Sequence, residues 1–167
     1  MHRKVFQLLV DNNSGVLSRI SGLFSRRGYN IDSITAGTTS NPKYTRITIV
    51  ASGDEDILEQ IEKQVGKLID VRDIRVLEPD ESVYRELVLI KVRVGDEKRQ
   101  ALVTVCDVFR AKIIDITKDS IIIELTGAQP KINAFIEMLS DYEILEIART
   151  GIAGLRRGSD GIIELKE

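Results

Sequence analysis

The sequence contains one cysteine, one histidine, three prolines, no tryptophan and only eight other aromatic residues (four Tyr, four Phe) among 167 residues. Each scarcity removes a class of function. A single Cys106 can form neither an intramolecular disulfide nor a CxxC metal site, so an oxidising compartment is not suggested. The lone His2 stands next to the first residue, and Cys106 has no histidine in its half of the chain, which argues against covalent or metal-assisted catalysis. A formal net charge of -2, from 24 basic and 26 acidic residues, gives no electrostatic case for general nucleic-acid or anionic-membrane binding. The apolar run in "MHRKVFQLLVD" is too short for a signal-peptide core, and no other run approaches the roughly 20 residues of a membrane span. A soluble, cytoplasmic protein is expected.

What is present is regular patterning. Lys4 to Val10 reads as a strand with Phe6, Leu8 and Val10 on one face. Val16, Leu17, Ile20, Leu23 and Phe24 then recur at helical spacing, and Gly28 suits the left-handed residue that closes such a helix. Asn30 to Thr38 and Tyr44 to Ala51 form a hairpin through Asn41-Pro42. Ser52 and Glu55 fit a capping box for a second helix lined by Ile57, Leu58, Ile61 and Val65. Ile69 to Leu77 returns to strand, with a phase slip at Arg72 and Asp73 that predicts a bulge.

"EPDESVY", Glu78 to Tyr84, has a linker composition. Beyond it the element order repeats: a strand in "RELVLIKVRV", a helix after Asp96 with Ala101, Leu102, Val105, Cys106 and Phe109 inward, a hairpin across Lys118-Asp119, a helix opened by Pro130 and lined by Ile132, Phe135, Ile136 and Leu139, and a last strand in "EILEIART". Cys106 on that apolar face is read as core packing. Two β-α-β-β-α-β runs predict an α+β chain of two ferredoxin-like domains in tandem, 1–78 and 79–167. Each sheet has a face its own helices leave open, and Leu87 and Leu89 opposite Val88, Ile90 and Val92 suggest that association covers such faces.

No GxxxxGK[ST] or GxGxxG is present, and the carboxylates fall on helix exteriors and loops. RNA recognition by this element order needs aromatics on the central strands, of which Phe6 is nearly alone. The one stretch richer than its structure needs is Asp11-Asn12-Asn13-Ser14-Gly15. Asn12, Asn13 and Ser14 can all cap the helix that follows, the first-turn N–H groups suit a carboxylate, and Gly15 would let a ligand approach the backbone. A well-capped helix with a loop glycine is the simpler alternative.

"LLVDNNSGVLSRISGLFSRRGYNIDSI", from Leu8 to Ile34, closely resembles the small, regulatory subunit of acetohydroxyacid synthase, also called acetolactate synthase. The resemblance continues through "DEDILEQIEKQVGKLIDV", "VFRAKIIDIT" and "EIARTGIAGLRRG". It implies that the first domain is an ACT domain, an amino-acid-sensing module that pairs with a second copy, with valine between them. It further implies a subunit without catalysis or cofactor of its own. Such a subunit binds and activates a catalytic large subunit, which alone would carry thiamine diphosphate, Mg and FAD, and confers feedback inhibition by valine. Carried over by position, the ligand loop falls on Asn12, Gly15, Val16 and Leu17, with Ser18 secondary. The facing strand of a second protomer contributes Asn30 and Ile31. The implied contacts are the valine carboxylate on the N–H groups around Gly15 to Leu17, the ammonium on Asn30 and a loop carbonyl, and the isopropyl group on Ile31. The alternative is a free-standing ACT-type sensor regulating another enzyme or transcription.

Overall fold

Alternating apolar residues place two buried central strands in each half of the chain, and the amphipathic helices cover one face of each sheet. The computed structural model describes residues 1–159. It divides into two compact units: Met1–Val83 together with the described residues from Ile152 onward, and Tyr84–Gly151.

In the first unit β1 (His2–Asp11), α1 (Val16–Arg27), β2 (Asn30–Thr38), β3 (Tyr44–Gly53), α2 (Glu55–Val65) and β4 (Val71–Val76) give the antiparallel order β2-β3-β1-β4. Phe6, Leu8 and Val10 of β1 join Ile47 and Ile49 of β3 in a core closed by Val16, Ile20, Leu23 and Phe24 of α1 and Leu58, Ile61 and Val65 of α2. Burying each such side chain is worth about 1.5–3 kcal/mol. The predicted bulge exists: Leu9 pairs with Asp73 and Val10 with Val71, so Arg72 is the extra residue.

Three local expectations need correction, at Ser52, Leu17 and Ile57, the last being 37% exposed and outside the core that Leu58, Ile61 and Val65 enter. Ser52 lies inside β3 and its hydroxyl bonds Asp32, so it caps nothing; Asp54 is the residue before α2, and it makes no side-chain cap. Glu55 instead pairs with Lys4. Leu17 is 49% exposed and outside the core: at about 100° per residue it stands at the edge of the stripe formed by Val16, Ile20, Leu23 and Phe24, in the first turn of the helix.

The opposite face of β1 is buried too, with Val5, Gln7 and Leu9 all shielded. Gln7, only 2% exposed, donates from Nε2 to the Gly154 carbonyl at 2.6 Å. Gly154 belongs to β9 (Ala153–Arg156), a strand absent from the sequence-based expectation. Its end is fixed by Arg156 on Glu81 (2.9 Å) and by the Arg157 N–H on the Glu81 carbonyl (2.7 Å). The supposed linker therefore holds a short 3-10 turn, Pro79–Glu81, that anchors this segment.

In the second unit β5 (Ser82–Arg93), α3 (Asp96–Phe109), β6 (Lys112–Ile116), β7 (Ser120–Gly127), α4 (Gln129–Met138) and β8 (Glu143–Arg149) give the path β6-β7-β5-β8. Val88, Ile90 and Val92 meet Leu102, Cys106, Ile132, Phe135 and Leu139 in its core. Ala101 is exposed, contrary to expectation. Glu86, 3% exposed, accepts Arg149 Nε at 2.7 Å and Arg149 Nη2 at 3.0 Å, with Gln129 Nε2 at 3.2 Å.

Candidate functional site

β1 delivers the chain to a loop held from both sides. The Asp11 carboxylate accepts Arg72 Nε and Nη2, each at 2.7 Å, and the Asp11 N–H donates to the Asp70 carbonyl at 2.9 Å. Asn12 donates its N–H to Lys43 O (2.7 Å) and its Nδ2 to Pro42 O (2.9 Å), while its Oδ1 accepts the Thr45 hydroxyl (3.1 Å). Its side chain thus fastens the loop to the turn between β2 and β3.

None of Asn12, Asn13 and Ser14 caps α1. The residue before the helix is Gly15, at φ 84° and ψ -6°, with no side-chain bond to the helix end. That left-handed conformation is the reason for glycine here. The first N–H groups of a helix have no partner within it and carry a partial positive charge. α1 has no acidic residue in its first turn to meet that charge. Val16 is 4% exposed and packs into the core, whereas Leu17 and Ser18 are exposed.

The space beside Gly15 is occupied by a side chain that the loop motif does not name. A Cβ there would lie 2.9 Å from Arg19 Nη1. Helical side chains lean toward the helix N-terminus, so a residue four positions on covers the turn before it. Arg19 is also tied to Asp70, through Nε and through Nη2 at 3.0 Å. The Arg19 hydrogen bond, with Arg72 adding to it, holds the Asp70 carboxyl below the usual range against the opposing effect of burial. Asp11, Arg19, Asp70 and Arg72 are thus functional candidates that motif reading missed. The spacing of Arg19 from Gly15 was the one available signal.

Asn30 and Ile31 stand elsewhere. Asn30 pairs with Ser52 in the sheet, at the end where Ser52 also faces Arg3, while Asp11 pairs with Tyr44 at the other end. Asn30 donates from Nδ2 to Asp32 Oδ1 at 2.8 Å, and Ile31 is half-buried against the core. The 12 residues of α1 separate the two groups. At 1.5 Å per residue that is about 18 Å. One chain therefore brings Asn12, Gly15, Val16 and Leu17 together and leaves Asn30 and Ile31 at the far end, on the edge strand β2.

Among the described residues no group of His, Cys, Asp and Glu could hold a metal ion, and no helix is long and apolar enough to cross a membrane. Burial pushes the Cys106 thiol up to about 11, so it stays protonated at neutral pH.

Residues 6–73 match the model of the AHAS (acetohydroxyacid synthase) small subunit-like ACT domain, and residues 85–158 match that of the small subunit of acetolactate synthase. A probable acetolactate synthase small subunit of Archaeoglobus fulgidus is 48% identical, over 91% of this chain and 95% of that protein. This chain belongs to the acetolactate synthase small-subunit family. The isozyme 3 small subunit of Escherichia coli is 42% identical, over 93% of this chain and 96% of its own length. The crystal structure of the acetolactate synthase small subunit from Thermotoga maritima is 42% identical, covers 95% of this chain and 99% of its own, and superposes with a TM-score of 0.87. The small-subunit family accounts for both halves of the chain, and makes the first unit an ACT domain in a regulatory rather than a catalytic protein.

Proposed function

We propose that this chain binds L-valine between two copies of its ACT domain, activates a catalytic large subunit of acetolactate synthase, and makes that enzyme sensitive to feedback inhibition by valine. The reading also assigns the thiamine diphosphate, Mg and FAD to the large subunit and places the pair in the cytoplasm. The observation that carries the site is the α1 entry: amide donors uncompensated by any first-turn carboxylate, reached through a glycine in the left-handed conformation.

The separation of the two residue groups supports a site completed by a second copy. β2 is an edge strand whose outer side has no partner strand among the described residues of the first sheet. Antiparallel addition of a second β2 would bring that protomer's Asn30 and Ile31 to the end where Thr38 lies. Thr38 pairs with Thr45 and Asp11 with Tyr44, so this is also the end of the ligand loop. Magnitudes favour such enclosure. A helix N-terminus contributes about 0.3–1 kcal/mol to an exposed anion and up to about 2 when partly buried. Burying an isopropyl group adds about 1.5–3 kcal/mol. Micromolar binding needs about 8 kcal/mol, more than one loop supplies. A ligand held across two protomers also favours one arrangement over another, which is what control of a bound enzyme requires.

The small-subunit match over residues 85–158 supports this reading over a free-standing ACT sensor. The test is a valine titration of the chain mixed with a cognate large subunit. Turnover is expected to rise on mixing and to fall as valine is added; a rate indifferent to both additions would overturn the proposal.

A further inference from the structure

Arg19 has no part in the contacts assigned above, yet it is the charged side chain that lies over Gly15. We propose that Arg19 contacts the bound amino acid, its guanidinium meeting the α-carboxylate over the open end of α1, with Asp70 as the residue that positions it. The proposal rests on the loop being the amino-acid site.

The argument is geometric. Nη1 lies 2.9 Å from the point where a Gly15 Cβ would be, so the cation occupies the space directly above the residue that opens the helix. A guanidinium is a planar fork with five N–H donors, enough for two carboxylates on different edges. The Nε and Nη2 edge is engaged by Asp70, which leaves the Nη1 end toward the loop. About half of the Arg19 side chain is exposed, within reach of an incoming ligand, whereas the Asp70 carboxylate is almost enclosed. Asp70 also fixes the loop itself, since its carbonyl accepts the Asp11 N–H. One residue thus sets the distance between the amide end and the cation. A guanidinium and amide donors converging from two directions select a small molecule with a free carboxylate and disfavour its amide.

The experiment is calorimetry on the full chain with L-valine, and with L-valinamide read by direct binding and by displacement, for the natural protein, Arg19→Gln, Arg19→Lys and Asp70→Asn. Circular dichroism checks that each variant keeps its helix content. Arg19→Gln is expected to weaken valine at least tenfold while changing valinamide less than threefold, and Arg19→Lys to recover part of the loss. Asp70→Asn should weaken valine by a smaller factor. Valine affinity in Arg19→Gln within twofold of the natural protein would overturn the assignment while leaving the site itself intact, as would an equal loss for both ligands. Absence of valine binding in the natural protein would remove the site and this assignment together.

Discussion

The two units enter their first helices in opposite ways. In the ACT domain the chain leaves β1 through Asn12, Asn13 and Ser14 and turns at Gly15, whose φ of 84° excludes most other residues, into a helix with no acidic first turn. In the second unit it leaves β5 through Val94 and Gly95, at an ordinary extended φ of -85°, into a helix that begins with Asp96 and Glu97. The second unit supplies its own carboxylates to the helix end. The first leaves that role to something else. The same order of elements therefore gives one helix end open to an anion and one self-neutralised end, and the choice is made by a handful of residues.

The contrast extends to the facing strands. Lys4 on β1 meets Glu55 at the start of α2, whereas Glu86 on β5 meets Gln129 at the start of α4 and, more strongly, Arg149. Charge is reversed between the two positions. The Lys4 pair is partly exposed and the Glu86 carboxylate is nearly enclosed.

Substitutions that break or exchange these features rank in effect. Gly15→Asp should be the most severe for binding: a left-handed non-glycine residue costs about 1–3 kcal/mol, its Cβ would meet Arg19, and its carboxylate would take the ligand's place. A loss of valine affinity of roughly a hundredfold, corresponding to about 2.8 kcal/mol, is expected in calorimetry; unchanged affinity would refute the site.

Glu86→Gln should be the most damaging of this set to the second unit, costing about 1–3 kcal/mol at neutral pH through the weakened partner of Arg149. Its pH dependence has a definite sign. Arg149, and then Gln129, hold the Glu86 carboxyl below its ordinary value. Its contribution is therefore complete above about pH 4.3, where an unfolded Glu is ionised, and disappears as pH falls through the lower folded value. Thermal melts between pH 7 and 3 should show the natural chain losing its advantage over Glu86→Gln in that acidic window. A constant difference across the range would exclude this origin.

Ser18→Glu would give α1 the first-turn carboxylate that α3 already has. Helix stability should rise by about 0.3–1 kcal/mol, while valine binding weakens several-fold because the amide end is satisfied. A gain in melting temperature with no change in affinity would separate the dipole from the site. The smallest effect is expected from Gly95→Ala, where a Cβ meets no atom within 4 Å and φ is permissive. Melting temperature should move by no more than a degree or two, in contrast to Gly15→Ala, which should fall clearly.

The fold was legible because its period changes are clean. Two-residue alternation in Phe6, Leu8 and Val10 and three-to-four spacing in Val16, Ile20, Leu23 and Phe24 leave little ambiguity, and the slip at Arg72 marked the bulge. β9 was not legible: four residues containing a glycine and an arginine carry no alternation long enough to register, and their place depends on Gln7 and Glu81, more than 70 positions away. Ser52 was misread as a cap because the capping spacing is indifferent to whether the preceding strand has ended. At the loop, the chain showed that Gly15 opens a helix, and the family resemblance supplied the residues around it. It could not show Arg19 on Asp70, since that pair joins positions 51 apart in sequence and is set by where β4 begins.

The placement of the ligand loop and Asn30 at opposite ends of α1 has a thermodynamic consequence for the proposed valine site. If each site is shared between protomers, dimerisation and occupancy draw on the same equilibrium. Valine would tighten association, and association would tighten valine, by the same factor. Diluting the protein below its dimer dissociation constant would then raise the valine concentration needed for half-saturation, so the sensor would report subunit abundance as well as metabolite level.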